Sequence, residues 1–192
     1  HSSGKMGIAI ANELMNKGAT VTLIAGPGVK TSALSSHIKV VNTVSADDML
    51  KAAINQMPST DIMIMAAAVA DFTPKEVASQ KIKKNKDAGL LLDLKPTTDI
   101  AKELGSIKKK NQLLVGFALE TNDQFENAKK KLKNKNLDFI VLNSLDQTNN
   151  VFNSNNNKIT IIDSNQTVTA FEMKPKTEVA ADIVDKIITL VR

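Results

Sequence analysis

The stretch AAAVADF, Ala66 to Phe72, is the end of an apolar run that starts at Asp61 and finishes on a lone carboxylate. A continuous apolar run is typical of a strand buried in a parallel sheet, so we predict a strand from Asp61 to Ala70 with Asp71 at its carboxyl end. Open α/β sheets bind ligands at that edge. The lysines of KIKK, Lys81 to Lys84, follow in a polar segment, residues 73–89, which we predict to be a flexible flap over phosphates. A polyanionic substrate is the first hypothesis.

Helices and strands alternate on either side of this strand. Apolar spacing and capping residues predict helices at Gly7–Lys17, from a Ser45 cap to about Gln56, from a Thr97 or Thr98 cap through Leu104, at Asp123–Lys135 and at Lys176–Val191. Extended segments are predicted at Ala19–Ala25, Ile38–Val41, Leu90–Leu94, Leu113–Ala118 and Leu137–Leu142, with a turn-filled loop at Asn149–Asn157 and a hairpin of Lys158–Asp163 and Thr167–Phe171. We predict one α/β domain, residues 1–192, with a Rossmann-like, doubly wound, mainly parallel sheet, the hairpin and a closing helix.

The start of the chain is unusual for such a domain. A doubly wound domain normally begins with a strand that leads through a phosphate-binding loop into the first helix, and here the loop residues HSSG, His1 to Gly4, come first. We therefore expect the first, central strand to be missing from this sequence. Either the chain begins earlier or the fold is built around a gap, and HSSG is also compatible with the remnant of an expression tag.

Composition narrows the possible functions. The 192 residues are 42% hydrophobic, enough for one sizeable core. There is no cysteine and the only histidines are His1 and His37, which argues against disulfides, thiol nucleophiles and histidine-rich metal sites. No run approaches the ~18 apolar residues of a membrane helix, and the first residues do not resemble a signal peptide. We expect a cytoplasmic protein without a membrane partner, whose catalysis relies on Lys, Asp, Asn, Ser and backbone amides.

The net charge of +5 raises the question of nucleic-acid binding. All basic residues except Arg192 are lysines, and aromatic residues make up 3% of the chain. Base readout relies on arginine forks and single strands stack on aromatic rings, so we expect no nucleic-acid partner. Lysine instead serves phosphate as a point charge. Most lysines in the runs Lys108–Lys110 and Lys129–Lys135 are expected to lie on solvated helix faces.

Seven motifs occur in a characteristic order: HSSGKMG (1–7), AAAVADF (66–72), KIKK (81–84), TTDI (97–100), GFALET (116–121), KKLKNKNLD (130–138) and FNSNNN (152–157). Together they resemble the bacterial phosphopantothenoylcysteine synthetase (phosphopantothenate-cysteine ligase) family. This synthetase is usually the C-terminal half of a bifunctional coenzyme A biosynthesis protein. The resemblance covers essentially the whole chain.

The resemblance implies a two-step ligation that uses CTP. The carboxylate of 4'-phosphopantothenate attacks the α-phosphate of CTP to give an acyl-cytidylate and pyrophosphate, and the amine of cysteine then displaces CMP to form an amide. The family also implies Mg²⁺ bound with the triphosphate, a homodimer, and a possible fused FMN-dependent decarboxylase upstream of His1. The decarboxylase half is not in this sequence, so no flavin should bind.

The resemblance also assigns roles residue by residue. It places Ser2, Ser3 and Gly4 in the phosphate-side loop, and Lys131 and Lys135 on phosphates. It places Ala66, Ala67 and Ala68 along the nucleotide, Asp99 and Ile100 at the nucleotide, and Phe117 packed on it. Asp71 is assigned to the base and ribose or to the metal. The resemblance makes Lys81 the flap lysine that closes over the reacting phosphate and carboxylate, and therefore the catalytic cation.

Without the resemblance, each pattern also has an ordinary structural explanation. The loop before the first helix could only cap it, the alanines could only pack in a strand, and Asp71 could lie in a turn. Phe117 could belong to the core, and the lysines could simply be exposed.

The chain departs from the family pattern at two places. The family has an asparagine just before HSSGKMG, associated with the acyl-cytidylate and cysteine, and this sequence begins one residue too late to show it. The helix start has TTDI where many relatives have NPDI, so Thr97 and Thr98 carry over only loosely. We prefer to interpret the chain as an N-terminally truncated native domain, whose activity the missing residues put in question.

Two rival functions come from other classes. A catalytically incomplete nucleotide-binding or dimerisation module is one, because the first strand is missing. An NAD(P)-dependent oxidoreductase is the other, but Ala25-Gly26-Pro27 offers no acidic residue for the ribose and the chain has no tyrosine. The residues also leave open whether CTP or ATP is used, and whether the homodimer pairs through the Lys158–Phe171 hairpin or through Leu90–Leu94.

Overall fold

The structure is a computed structural model that describes residues 3–83, 90–120, 123–144 and 155–191. Within these residues the helices are α1 (Lys5–Asn16), α2 (Ala46–Gln56), α3 (Ile100–Ile107), α4 (Gln124–Asn134) and α5 (Lys176–Val191). The strands are β1 (Thr22–Ala25), β2 (Lys39–Asn42), β3 (Ile62–Met65), β4 (Phe72–Pro74), β5 (Leu94–Pro96), β6 (Leu113–Glu120), β7 (Phe139–Ser144), β8 (Asn156–Asn157), β9 (Ile159–Asp163), β10 (Val168–Ala170) and β11 (Lys174–Pro175). The predicted alternation of helix and strand is confirmed.

The central sheet is mixed, which corrects the prediction of a mainly parallel sheet. In the described part of the chain its order is β10-β9-β7-β6-β3, with β3, β6 and β7 parallel and β7, β9 and β10 antiparallel. The predicted hairpin exists, but its first strand is an internal member of the sheet. The reason is that β9 is apolar on both faces: Ile159 and Ile161 pack on one side and Ile162 on the other.

Helices cover both faces of this sheet, as expected for an α/β domain. On one face α1 and α5 pack over alternate residues of the strands, including Val115, Phe139 and Val141. On the other face α2, α3 and α4 pack over the intervening residues, such as Leu114, Ile140 and Leu142. Strands that bury both faces have near-continuous apolar sequences, which is why the strand predictions here held.

Strands β1 and β2 form a parallel pair that belongs to a separate sheet among the described residues. Helix α2 connects this pair to the central sheet, because Met49 packs with Met63 of β3 and approaches Gly26 after β1. Helix α2 begins with the predicted cap: Ser45 Oγ accepts a hydrogen bond from the Asp48 amide, and Asp48 accepts one from the Ser45 amide. The prediction that a further strand precedes α1 stays a prediction.

Two predicted strands have wrong boundaries. Strand β3 ends at Met65 rather than Ala70, because alanine favours strands weakly and the chain turns away there. Consequently, Asp71 does not follow β3 directly. Asp71 instead precedes β4, which pairs with β5 as an antiparallel ribbon that was not predicted. In the predicted Leu90–Leu94 segment, only the last residue lies in a strand.

The cap of α3 and the Asn-rich loop also differ from prediction. Asp99 caps α3 in place of Thr97 or Thr98, because its carboxylate accepts a hydrogen bond from the Lys102 amide. The last two residues of the predicted loop form β8, which pairs with β11. Residues 149–154 of that loop and residues 84–89 of the predicted flap lie outside the described residues.

Candidate functional site

The start of α1, the loop after β1 and the end of β3 meet in space. Gly4 caps α1 with a left-handed φ of 72°, and a Cβ built on it would lie 2.7 Å from Val29 Cγ1. A side chain at this position would therefore be strained by conformation and by contact. Further along the helix, Gly7 approaches the Ala66 side chain, with 3.9 Å from its ideal Cβ position to the alanine Cβ. The HSSGKMG and AAAVADF motifs, which are distant in sequence and were both predicted to hold the nucleotide, are thus neighbours in space.

The small residues after β3 leave backbone accessible. Ala66 is half-buried, whereas Ala67 and Ala68 are exposed, so close approach of a ligand to this segment is sterically open. Asp71 is also exposed. Phe117 of β6 is half-buried and packs against the cluster under α1 and α5, so the structure gives it a core contact as well as partial access.

The β4–β5 ribbon holds the two ends of the predicted flap together. At its base the Thr97 amide donates to the Asp71 carbonyl over 2.8 Å. At its tip the Lys75 amide donates to the Asp93 carbonyl over 3.0 Å, and their side chains form an exposed ion pair of 2.7 Å. Beyond this pair Lys81 is exposed, in residues 75–83 that have no helix or strand. An exposed lysine on a segment without regular structure can be repositioned at low cost.

A cationic cavity of about 560 Å³ lies between α3 and α4. Its lining consists of Asp99, Lys102, Asn127, Lys130, Lys131, Asn134 and Lys135. Three of these were predicted site residues, namely Asp99, Lys131 and Lys135, so the structure brings them together from distant segments. The lining carries four lysines against one aspartate, and such a cavity favours a polyanion.

Asp99 organises this cavity through two contacts. One oxygen accepts a hydrogen bond from the Lys102 amide over 3.1 Å, and the other accepts from Lys135 Nζ over 2.8 Å. Partial burial of Asp99 acts to raise its pKa, but the Lys135 ammonium and the backbone amides outweigh that effect and leave the pKa below its ordinary value. Asp99 is therefore ionised at neutral pH and fixes Lys135 at the cavity wall.

A glycine sets the spacing between α3 and the end of α4. A Cβ on Gly105 would collide with the Lys135 carbonyl oxygen, and Asn136 Nδ2 donates to the Gly105 carbonyl over 2.9 Å. The absence of a side chain at Gly105 thus permits the approach that places Lys135 beside Asp99.

The remaining predicted residues differ in their surroundings. Ser2 lies outside the described residues, and Ile100 has its side chain buried in the core, so a ligand could meet only its backbone. Sequence reasoning missed Lys102, Asn127, Lys130 and Asn134 of the cavity. The helical spacing of Asn127, Lys131 and Asn134, which puts them on one face of α4, was the available signal.

The described residues contain no group of three His, Cys, Asp or Glu side chains close enough to hold a metal ion. In the same part of the chain, no helix combines the length and apolar character needed to cross a membrane.

Comparison with known proteins defines the class. Residues 1–190 match the family described as the DNA/pantothenate metabolism flavoprotein C-terminal domain. The chain belongs to this family, the phosphopantothenoylcysteine synthetase domain of bifunctional coenzyme A biosynthesis proteins, and the resemblance inferred from the motifs is confirmed.

Two curated relatives and one solved structure match nearly the whole chain. The chain is 42% identical over 189 residues to the coenzyme A biosynthesis bifunctional protein CoaBC of Bacillus subtilis, covering 98% of this chain and 46% of that protein. It is 52% identical over 191 residues to a cysteine/cysteine sulfinic acid decarboxylase of an unknown prokaryotic organism, covering 100% of this chain and 53% of that protein. The crystal structure of the C-terminal domain of a CoaBC protein superposes with a TM-score of 0.81 at 37% identity, covering 99% of this chain and 84% of that one. The chain thus spans about half the length of the curated relatives it matches.

Proposed function

We propose that this chain is a ligase that joins 4'-phosphopantothenate to cysteine at the expense of CTP. The observation that carries the proposal is the cationic cavity in which Asp99, Lys131 and Lys135 meet. Its volume of about 560 Å³ lies within the range of about 300–1,000 Å³ for small-molecule sites. Family membership supports the same reaction.

The described residues near the cavity offer an unsatisfied polar atom. The Thr97 hydroxyl is buried and has no hydrogen-bond partner within the described ranges, and its amide is bound to the Asp71 carbonyl. A buried hydroxyl left unpaired costs about 1–3 kcal/mol. A nucleotide held between Asp71 and Asp99 could supply the missing partner, and this supports placing the nucleotide there.

The first step activates the acid. A carboxylate oxygen of 4'-phosphopantothenate forms a bond to the α-phosphorus of CTP, and the bond from that phosphorus to the bridging oxygen breaks with release of pyrophosphate. Phosphoryl transfer of this kind depends on positioning and on cations that stabilise the developing charge. We assign that stabilisation to Lys81, brought in by the flap, and the binding of phosphates to Lys131 and Lys135.

The second step forms the amide. The amine of cysteine attacks the acyl carbon, the bond to the phosphate oxygen breaks, CMP leaves, and the amine loses a proton. Mg²⁺ is proposed to enter with the triphosphate and to neutralise part of its charge. Asp71 is the only residue to which we assign a contact with Mg²⁺. Its exposed carboxylate could reach the base, the ribose or the metal. A cytoplasmic location and the choice of CTP over ATP stay predictions.

A product assay tests this function. The protein is incubated with Mg²⁺, CTP and 4'-phosphopantothenate, with and without cysteine, and pyrophosphate and product mass are measured. Pyrophosphate in both reactions, with amide only when cysteine is present, is the expected result. Asp71→Asn should weaken CTP binding, whereas Asp61→Asn, which removes an exposed charge at the other end of β3, should not. Nucleotide binding without pyrophosphate release would favour the incomplete binding module instead.

We also propose a homodimer that pairs through the β4–β5 ribbon. Large apolar side chains are exposed in the ribbon and just before β5: Phe72 is 60% exposed, Leu90 66% and Leu91 94%. The other candidate, the C-terminal hairpin, has β9 inside the sheet and offers only the short edge strand β10, with Val168 48% exposed. Several exposed apolar side chains in one segment are typical of an interaction surface, so the ribbon and the residues before it are the better candidate.

A further inference from the structure

The last residue of the FNSNNN motif is a buried asparagine whose side chain is only partly satisfied. Asn157 lies in β8 and is 3% exposed, and its Nδ2 donates a hydrogen bond to Asn143 Oδ1 over 2.9 Å. Counting every residue that the structure describes, the Oδ1 of Asn157 is buried without a hydrogen-bond partner. The roles assigned above make no use of this motif, so the buried amide needs its own explanation.

The direction of this hydrogen bond follows from which unpaired group is tolerated better. If Asn157 accepted from Asn143 instead, its amide hydrogens would be buried without an acceptor. Buried carbonyl oxygens are left unpaired more readily than buried N–H groups, so Asn157 is the donor. Its unpaired oxygen still lowers stability relative to an apolar side chain of the same shape. Residues that cost stability in this way are concentrated at functional sites.

Asn143, the partner of this bond, lies at the carboxyl end of β7. It is half-buried and is in register with Leu119 of β6, two residues beyond the pair formed by Phe117 and Val141. Side chains alternate along a strand, so Asn143 shares a face with Phe117 and Val141, the face that α1 and α5 cover. Open α/β sheets bind ligands at this edge. Asn157 therefore holds a polar side chain at the ligand-binding edge, beside a residue predicted to contact the nucleotide.

The backbone around Asn157 makes it a firm support. β8 pairs with β11, with Asn157 opposite Lys174, and it also packs against α5. Because the oxygen and nitrogen of a primary amide lie on opposite branches, an Asn143 Oδ1 that accepts from Asn157 turns the Asn143 Nδ2 away from it. Asn143 thus presents two N–H donors in a fixed orientation.

We propose that Asn143 Nδ2 donates a hydrogen bond to an uncharged carbonyl oxygen of a substrate, and that Asn157 is the residue that positions it. The identity of the substrate rests on the proposed function. The pair carries no charge, and the four lysines suited to phosphate line the cavity between α3 and α4, on the opposite face of the sheet. A neutral amide donor is matched instead to a neutral acceptor. The cytosine of CTP and the amide of 4'-phosphopantothenate both have such a carbonyl.

The test measures binding of the two substrates separately and does not depend on turnover. CTP and 4'-phosphopantothenate are each titrated by calorimetry into the wild type and the variants. Asn143→Ala should weaken one of the two ligands about tenfold, the effect of one hydrogen bond, and leave the other unchanged. Asn165→Ala is the matched control, because it removes an exposed asparagine from the turn at the opposite edge of the sheet, and it should bind both ligands as the wild type does.

Asn157→Leu tests the positioning role. It should weaken the same ligand as Asn143→Ala, but by less, because Asn143 is still present and only its orientation is lost. Thermal unfolding should be unchanged or shifted upward, since the substitution removes an unpaired buried oxygen at similar volume. A residue that only ties β8 to β7 would show the reverse, a lower unfolding temperature with both affinities unchanged.

The pattern of losses decides the outcome. A loss confined to one ligand supports the inference and identifies that ligand as the one that Asn143 contacts. If Asn143→Ala binds both ligands as the wild type does, or loses both equally, the inference is wrong, and this holds even if Asn157→Leu does not fold. Failure of the ligase assay together with a selective loss of binding in Asn143→Ala would overturn only the proposed reaction.

Discussion

Two lysine-bearing regions of the molecule differ in how firmly their charges are held. In the cavity between α3 and α4, Lys135 is fixed by a 2.8 Å ion pair with Asp99. In the flap, Lys81 is exposed on a segment without regular structure. A fixed charge is suited to binding phosphate in the ground state, whereas a charge on a movable segment can be added when the substrate closes the site. Under the proposed function, we therefore assign phosphate binding to the cavity and catalysis to Lys81 of the flap.

Lys81→Ala should have the largest effect. If the flap lysine acts on the developing charge, turnover should fall on the order of a hundredfold, while the free energy of unfolding changes by less than ~0.5 kcal/mol because the residue is exposed. Steady-state rates measure turnover, and urea denaturation measures the free energy of unfolding. Lys109→Ala, which removes another exposed lysine, should do almost nothing. Equal loss of activity and stability would show that Lys81 is structural.

Gly105→Ala should distort the cavity sterically. The added methyl meets the Lys135 carbonyl, and overpacking of this kind costs about 1–3 kcal/mol. Chemical denaturation should show the loss, and CTP titration should show weaker binding because Lys135 moves away from Asp99. Ser106→Ala, at the neighbouring exposed position, is the control. Unchanged stability in Gly105→Ala would mean that α3 and α4 do not approach this closely.

Leu91→Glu tests whether the ribbon and its exposed apolar residues form the dimer contact. A charge at this exposed position should shift a dimer toward monomer, because it would have to be buried in the interface. Light scattering coupled to gel filtration measures the change, and thermal unfolding confirms that the chain still folds. Val168→Glu places the same charge on β10. Dissociation by Val168→Glu alone would move the dimer contact to the hairpin.

Asp99→Asn should have the smallest effect, and it should depend on pH. The pKa of Asp99 is lowered in the folded state, so its contribution is present above the unfolded value of about 4 and is lost as pH falls through the lower folded value. The difference in unfolding free energy between wild type and variant should be about 0.2–1 kcal/mol at neutral pH, as for solvent-accessible ion pairs. It should diminish in acid, as urea titrations across pH would show. A difference that grows in acid would contradict the assigned direction.

Local patterns were sufficient for much of the fold. The Ser45 and Asp48 cap, the helix that starts at Lys176 and the hairpin around residues 164–166 all depend on neighbours in sequence. Prediction was wrong where distant partners decide. Strand β3 ends at Met65, the last of its residues that pairs with β6. The cap of α3 was also predicted wrongly, although it is local: Asp99 accepts a hydrogen bond from the Lys102 amide.

The candidate site shows the same division. The motifs placed Asp99, Lys131 and Lys135 among the nucleotide contacts, but the ion pair that joins α3 to the end of α4 became visible only in three dimensions. Lys102 and Asn127 were missed because an exposed helix face has the same composition whether or not it borders a cavity.

The sequence by itself determined the family, the α/β layering and the predominance of lysine among the basic residues. These are encoded in apolar periodicity, capping residues and motif order, which need no knowledge of the packing. Only the tertiary structure decided that the sheet is mixed, that Asp99 holds Lys135 and that α1 and α5 pack side by side on one face of the sheet. Each of these depends on which remote segments pack together, and that choice is made by burial across the whole chain rather than by any short stretch of it.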